Sequence, residues 1–304
     1  MKIKYLAIII FFTITLTGLS LKADVVFFDS ENIQIKEEGN IILANKGIAK
    51  IPSQNILIEG DNSFYSKKIS ELIVKGNVKF FDDFNNIYIE SEKAVYNELD
   101  NTLFSSGTTF IKFEDKYEVY SGDLLYNRNS LEISTISYSS ILDNKDNIFL
   151  FEEGFLFDTK NEIISSKKTN VIDKNKNSYF FEIAKVNLKT NEIAGKEVTI
   201  DFINSFFGDP NNDPTLKGKS TVSNDEETLI KKAVFSTCNI KNNKCRGWEL
   251  QSNEFKHNKI ERLFEYKNSW LKVFDKKVLF FPYFSHPDPS VKRKSGFLTP
   301  FYKS

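Results

Sequence analysis

Two copies of one pattern, 31 residues apart, constrain this chain more than any other feature. Ile58-Glu59-Gly60-Asp61 leads to Tyr65 and then Gly76, and Ile89-Glu90-Ser91-Glu92 leads to Tyr96 and then Gly107. In both, the tyrosine stands seven and the glycine eighteen residues after the isoleucine. Val119-Tyr120-Ser121-Gly122 with Tyr126 repeats the first half 30 residues later, and Ser137 replaces the glycine, so the repeat decays there. Periods of this length mean stacked units, each burying its apolar face only against its neighbours, with one hydrophobic seam along the stack.

Each unit is built of strands. Leu72, Val74, Gly76, Val78 and Phe80 alternate with Ile73, Lys75, Asn77 and Lys79, and Ile33, Ile35, Glu37, Gly39, Ile41 and Leu43 alternate as one further run. From Asp24 to about Ser205 this period-two pattern is broken by turn residues every eight to twelve positions, the grammar of an all-β fold. A content of 29 Phe and 12 Tyr against 7 Pro and 1 Met favours strands as well. The 40% hydrophobic content is ample for a packed core. Lys+Arg and Asp+Glu both number 41, so no basic field exists to hold nucleic acid, and such a partner is not expected.

Residues 1–23 carry Lys2, Lys4 and Lys22, no acid, and an uncharged run from Tyr5 to Leu21. A basic start, the apolar Leu6 to Ile14 and the small Ala23 predict a signal peptide cleaved before Asp24; an uncleaved anchor is the competing reading. Cleavage leaves 38 basic against 41 acidic groups, a net of −3. No later stretch reaches the roughly 18 uninterrupted apolar residues of a spanning helix.

Gly39-Asn40-Ile41 and Gly76-Asn77-Val78, each in an alternating run, resemble the periplasmic β-jellyroll of lipopolysaccharide transport proteins. A more specific likeness begins near Cys238. Trp248, Leu250 and Tyr266-Lys267-Asn268-Ser269-Trp270-Leu271 lead to Lys277-Val278-Leu279-Phe280-Phe281-Pro282-Tyr283-Phe284-Ser285-His286-Pro287-Asp288-Pro289, and then Val291 through Ser295-Gly296-Phe297-Leu298-Thr299-Pro300. This stretch is similar to the junction between jellyroll and barrel in the LptD (organic-solvent-tolerance, OstA) family of outer-membrane lipopolysaccharide-assembly proteins. The resemblance implies a two-sheet jellyroll over residues 24–284. It also implies a linker and the start of a transmembrane barrel over 285–304, too short to hold the many strands a barrel needs.

It further implies transport of lipopolysaccharide at the outer membrane, from the periplasmic side. Cargo would come from a periplasmic jellyroll bridge protein, and an outer-membrane lipoprotein plug would serve the missing barrel. Acyl chains need cover in water, since each buried methylene is worth about 0.8 kcal/mol. Leu72, Val74, Val78, Phe80, Leu103, Ile111 and Phe113 are the expected groove lining, with an ordinary sandwich core as the alternative for each. A soluble bridge protein of the same fold is the nearest competing function.

Cys238 and Cys245 are the only cysteines, and an even pair in an exported chain favours a disulfide. Relatives in the family also pair periplasmic cysteines with barrel cysteines. Zinc is disfavoured because His257 and His286, the only histidines, are not spaced as ligands. Prolines in Ser285–Pro289 predict a stiff break rather than a strand, and the resemblance makes Pro282, His286, Pro287 and Pro289 a hinge. Lys292, Arg293 and Lys294 suit anionic headgroups or plain solvation. Residues 208–228 carry turn signals and are expected to form a long loop. No nucleophile elbow, phosphate loop or His/Cys/carboxylate cluster is present, so no enzyme activity and no cofactor are expected; a carbohydrate-active repeat protein would need two carboxylates facing across a groove.

Overall fold

The computed structural model describes residues 25–174, 176–202, 214–236, 247–288 and 291. Among them lie β1 (Phe27–Lys36), β2 (Ile41–Ile51), β3 (Ile56–Ser66), β4 (Glu71–Asp82), β5 (Ile87–Asn97), β6 (Thr102–Phe113) and β7 (Tyr117–Asn127). The short strands β8 (Glu132–Thr135), β9 (Ser139–Asp143), β10 (Ile148–Phe151) and β11 (Phe155–Asp158) follow. Then come β12 (Ile163–Ile172), β13 (Ser178–Asn187), β14 (Glu192–Asp201), β15 (Thr215–Ser223), β16 (Glu227–Ser236), β17 (Trp248–Asn258), β18 (Leu263–Val273) and β19 (Lys276–Pro287).

The all-β expectation holds: each strand pairs antiparallel with the next in one continuous meander. In the middle, β8 and β9 lie end to end beside β7, β11 and β10 lie beside them, and both rejoin at β12. The meander then continues to β19.

This sheet is folded along its midline into two facing halves, and the repeat is the fold line. Register slips line up at strand centres: between Glu59 and Asn62, Lys75 and Val78, Glu90 and Lys93, and Ser106 and Thr109. Gly76 (φ +78) and Gly107 (φ +87), the glycines of the repeat, occupy these corners in the left-handed conformation that glycine adopts without a steric penalty. Where Ser137 replaces glycine, the strand itself breaks between β8 and β9. Carboxylates on the neighbouring strand then hold the corner: Asp61 accepts from Asn77 Nδ2 (2.9 Å), and Asp123 accepts the Ile136 (3.1 Å) and Ser137 (2.9 Å) amides.

Beyond Ser137 the corners continue with other residues. Lys168, Glu197, Lys232 and Asn268 all have positive φ at the centres of β12, β14, β16 and β18, and Lys46 does the same in β2. The repeat therefore runs through the described sheet in backbone geometry after it has faded from the letters.

Folding brings the turns into two rims, which we call upper (83–86, 114–116, 143–147, 173–174 and 176–177) and lower (67–70, 98–101, 128–131, 159–162, 188–191, 224–226, 259–262). Each rim is stitched turn to turn. Asp83 N donates to Asn55 O and Glu114 N to Asn86 O on the upper side; Glu98 N donates to Ser70 O, Arg128 N to Asn101 O and Thr159 N to Leu131 O on the lower. Between the halves lies one apolar core, in which Phe80 from an upper half packs on Tyr96 and Tyr126 from lower halves at 6.2 and 6.3 Å.

Three local expectations are corrected. The run Ile33–Leu43 is not one strand, because Glu37–Gly39 form a 3-10 turn with Gly39 at φ +94 and separate β1 from β2. Within 208–228, Thr215–Ser223 is β15, where Gly218 packs its bare Cα against Ile230 rather than marking a loop. Ser285–Pro287, expected to break the sheet, end β19; its outer side carries no partner strand among the described residues, and Pro282 lies opposite the Asn268 corner, so no ladder bond is lost.

Candidate functional site

A sheet folded on itself leaves one lengthwise opening, where its two rims meet. Side chains decide whether that opening is shut. In the first half of the stack it is clasped. Arg128 on the lower rim bonds Asp82 on the upper rim through Nε (2.6 Å) and Nη2 (3.3 Å), and Nη1 and Nη2 also reach Gln54 Oε1 (2.7 Å) and O (2.9 Å). Tyr126 donates to the same Asp82 carboxylate at 2.9 Å, and Tyr96 donates to Gln54. The Asp82 side chain is 0% and that of Arg128 11% exposed, so a complete ion pair sits inside the seam. Burial pushes the Asp82 carboxyl up, yet hydrogen bonds from Arg128 and Asn85 and the Arg128 charge more than offset it and hold it below the usual carboxylate range. Burial likewise pushes the Tyr96 phenol to about 12. One further bridge, Tyr117 to Glu162 at 2.9 Å, closes the seam as far as β12.

The repeat tyrosines thus acquire a role: Tyr96 and Tyr126 join Arg128 on the lower-rim side of the clasp, and Tyr65 packs on Phe28 across the same seam at 5.9 Å.

Beyond that point the rims part around a cavity of about 1010 Å³. Its floor is apolar: Phe149, Val171, Phe181, Val186, Ile200 and Phe264 are all buried inward-facing strand residues that border it. Its mouth is polar, with Asp143, Asp173 and Asn177 on the upper side and Asn191, Asn224, Asp225 and Lys259 on the lower. Several of these groups are already engaged. Asp143 accepts the Lys145 and Asn147 amides (both 2.8 Å), and Asp173 accepts from the Asn177 amide (2.9 Å) and the Tyr179 hydroxyl (3.0 Å). A bridge from Lys145 Nζ to Asn191 Oδ1 (2.7 Å) marks the mouth at one end, and His257 on Asp288 (3.0 Å) marks the other. Burial holds the Lys259 ammonium below the usual lysine range, against the opposing pull of Asp225 and Asp173.

The residues anticipated as groove lining face inward, as alternation required. Leu72, Val74, Val78, Phe80, Leu103, Ile111 and Phe113 are between 0 and 4% exposed. They form the core beneath the clasp, and none of them borders the cavity. Alternation finds inward faces everywhere along the stack; it carries no information on where the rims separate. A usable signal for the cavity was the cluster of Asp, Asn and Lys in the turns at 143–147, 173–177, 188–191 and 224–225.

His286 joins the aromatic core, stacked on Tyr266 at 5.4 Å, and Pro287 ends β19 beside it. Cys238, Cys245, Pro289, Lys292, Arg293, Lys294 and the 1–23 segment lie outside the described residues. Groups of His, Cys, Asp or Glu able to hold a metal ion are absent among the described residues. Nor is any helix among them long and apolar enough to cross a membrane.

No family model matches the chain, and no curated protein does. Among solved structures it is similar to LptH, the LptA-homologous periplasmic component of the conserved lipopolysaccharide transport device from Pseudomonas aeruginosa. Identity is 15% and the TM-score 0.35, over 38% of this chain and 83% of that one.

Proposed function

We propose that this chain carries the acyl chains of lipopolysaccharide through the periplasm, holding them in the cavity between its rims without altering them chemically. The observation that carries this reading is the cavity itself, with an apolar floor suited to hydrocarbon and a mouth of charged and amide side chains suited to a sugar-bearing head. A volume of about 1010 Å³ lies at the upper end of the usual range for ligand sites. The basic and apolar segment at 1–23 supports export. The junction-like run at 277–300 supports a role on the periplasmic side of the outer membrane, with a jellyroll bridge protein delivering cargo and a lipoprotein plug beyond. The pairing of Cys238 with Cys245 belongs to this reading too.

A photo-crosslinking side chain placed at Val186, which faces the cavity, is expected to capture lipopolysaccharide in producing cells, while one at the adjacent exposed Lys185 captures little. Equal capture from both, or capture from neither in folded protein, overturns the proposal.

A further inference from the structure

One wall of the cavity carries more hydrogen-bond donors than the described residues supply acceptors for. Thr221, Ser223 and Thr228, on β15 and β16, and Lys259, in the turn after β17, all border the cavity. Lys259 donates to Ser223 Oγ (3.1 Å) and to the Asn224 carbonyl, leaving its third N–H without an acceptor and making no ion pair among the described residues. Ser223 Oγ and Thr228 Oγ1 lie 2.7 Å apart; whichever donates, one hydroxyl proton of the pair is left over. Thr221 Oγ1 has no partner among the described residues, although its residue is only 4% exposed, and Thr228 is equally buried. Buried donors are almost always satisfied, by protein or by water, so a ligand that displaces water from this wall has to bring acceptors of its own.

The nearest acids do not fill this role. Asp225 is engaged by Asn191 Nδ2 at 2.8 Å and Asp173 by Asn177 and Tyr179. What the wall requires is a compact group with several acceptor oxygens and negative charge. We propose that Thr221, Ser223, Thr228 and Lys259 form a binding site for a phosphate-type oxyanion, whose acceptor oxygens take the three unmatched donors. This rests on the cavity's being a lipid site only for the source of the oxyanion: the head of an amphiphile whose tail lies over Val186 and Ile200, or free phosphate.

Calorimetry on the full chain separates these possibilities, using octyl phosphate, octyl maltoside of the same tail, and inorganic phosphate, with both amphiphiles below their micelle concentrations. Octyl phosphate is expected to bind at least about tenfold more tightly than octyl maltoside, the scale of one charge-assisted contact set. Lys259→Gln is expected to bring the two within about threefold of each other by weakening octyl phosphate far more than octyl maltoside; Thr221→Val, nearly isosteric, gives the smaller loss and serves if the lysine variant does not fold. Inorganic phosphate binding as tightly as octyl phosphate upholds the site and makes free phosphate its ligand. Equal affinity for both octyl amphiphiles in the unmodified protein overturns the oxyanion site and leaves the lipid cavity standing. Failure of all three probes to bind overturns both.

Discussion

His286 is fully bonded only when neutral. Its Nδ1 donates to the Pro287 carbonyl at 2.7 Å, and its Nε2 accepts the Tyr266 hydroxyl at 2.9 Å. A second ring proton would leave that hydroxyl proton without an acceptor, in a residue 3% exposed. Burial holds the imidazole below its ordinary value of 6.5, against the pull of Asp288. The unfolded chain then binds the proton more readily than the folded one, so the stability contributed by neutral His286 is complete above 6.5 and lost as pH falls through the folded value. The melting temperature is expected to drop more between pH 7 and pH 5 in the native protein than in His286→Gln, whose amide keeps an acceptor for Tyr266 and does not titrate. Equal slopes would remove His286 from the acid response.

At the scale of the strand, the corner decides which face a side chain takes. Ile58 and Tyr65 are seven residues apart, an odd spacing that strict alternation sends to opposite faces, and both point inward. The same is true of Ile89 with Tyr96 and Val119 with Tyr126. The slip at each corner resets parity, which is why the repeat preserves an odd interval between its two core residues. Gly107 is the test. An added Cβ there would sit 2.8 Å from Glu92 Cβ, at a φ of +87. Gly107→Ala is expected to cost about 1–3 kcal/mol in urea unfolding. Gly122→Ala, whose nearest contact would be Ser137 Oγ at 3.4 Å, is expected to stay within about 0.5 kcal/mol of the native protein. Comparable losses at both positions would mean that the corner conformation is not what Gly107 supplies.

Across the whole molecule, the clasp and the cavity divide one seam into a shut half and an open half. Removing one partner of a buried pair leaves the other charge uncompensated, so Asp82→Asn is expected to destabilise by about 3–5 kcal/mol, and Asp82→Leu combined with Arg128→Met by much less. Because the carboxyl is held below its ordinary 3.8, the native clasp is complete above that pH and fails as pH falls further. If the clasp is what closes the first half, Asp82→Asn also raises lipid capture by a crosslinker at Val78 or Ile111 while capture at Val186 stays the same. Unchanged capture at Val78 in folded Asp82→Asn protein would show that core packing, rather than the clasp, does the closing.

Alternation of apolar residues, turn chemistry and a 31-residue interval determined by themselves that this chain is a stack of antiparallel strands with one buried face. Those signals are local, and strand formation with a half-buried surface is a local matter. A fuller reading was available in the rims: Asn97, Asn127, Asp158 and Asn187, about 30 residues apart, each accept amide protons in the turn that follows, and they carry the period past Ser137. Left-handed corners at Lys168, Glu197 and Lys232 were not legible, since lysine and glutamate do not announce a positive φ; only Asn268 is of a type that favours it. Where the seam is shut and where it gapes was decided only by the tertiary structure. Asp82 and Arg128 are 46 residues apart and meet only because the sheet folds, and no local pattern distinguishes two rims that touch from two that stand apart.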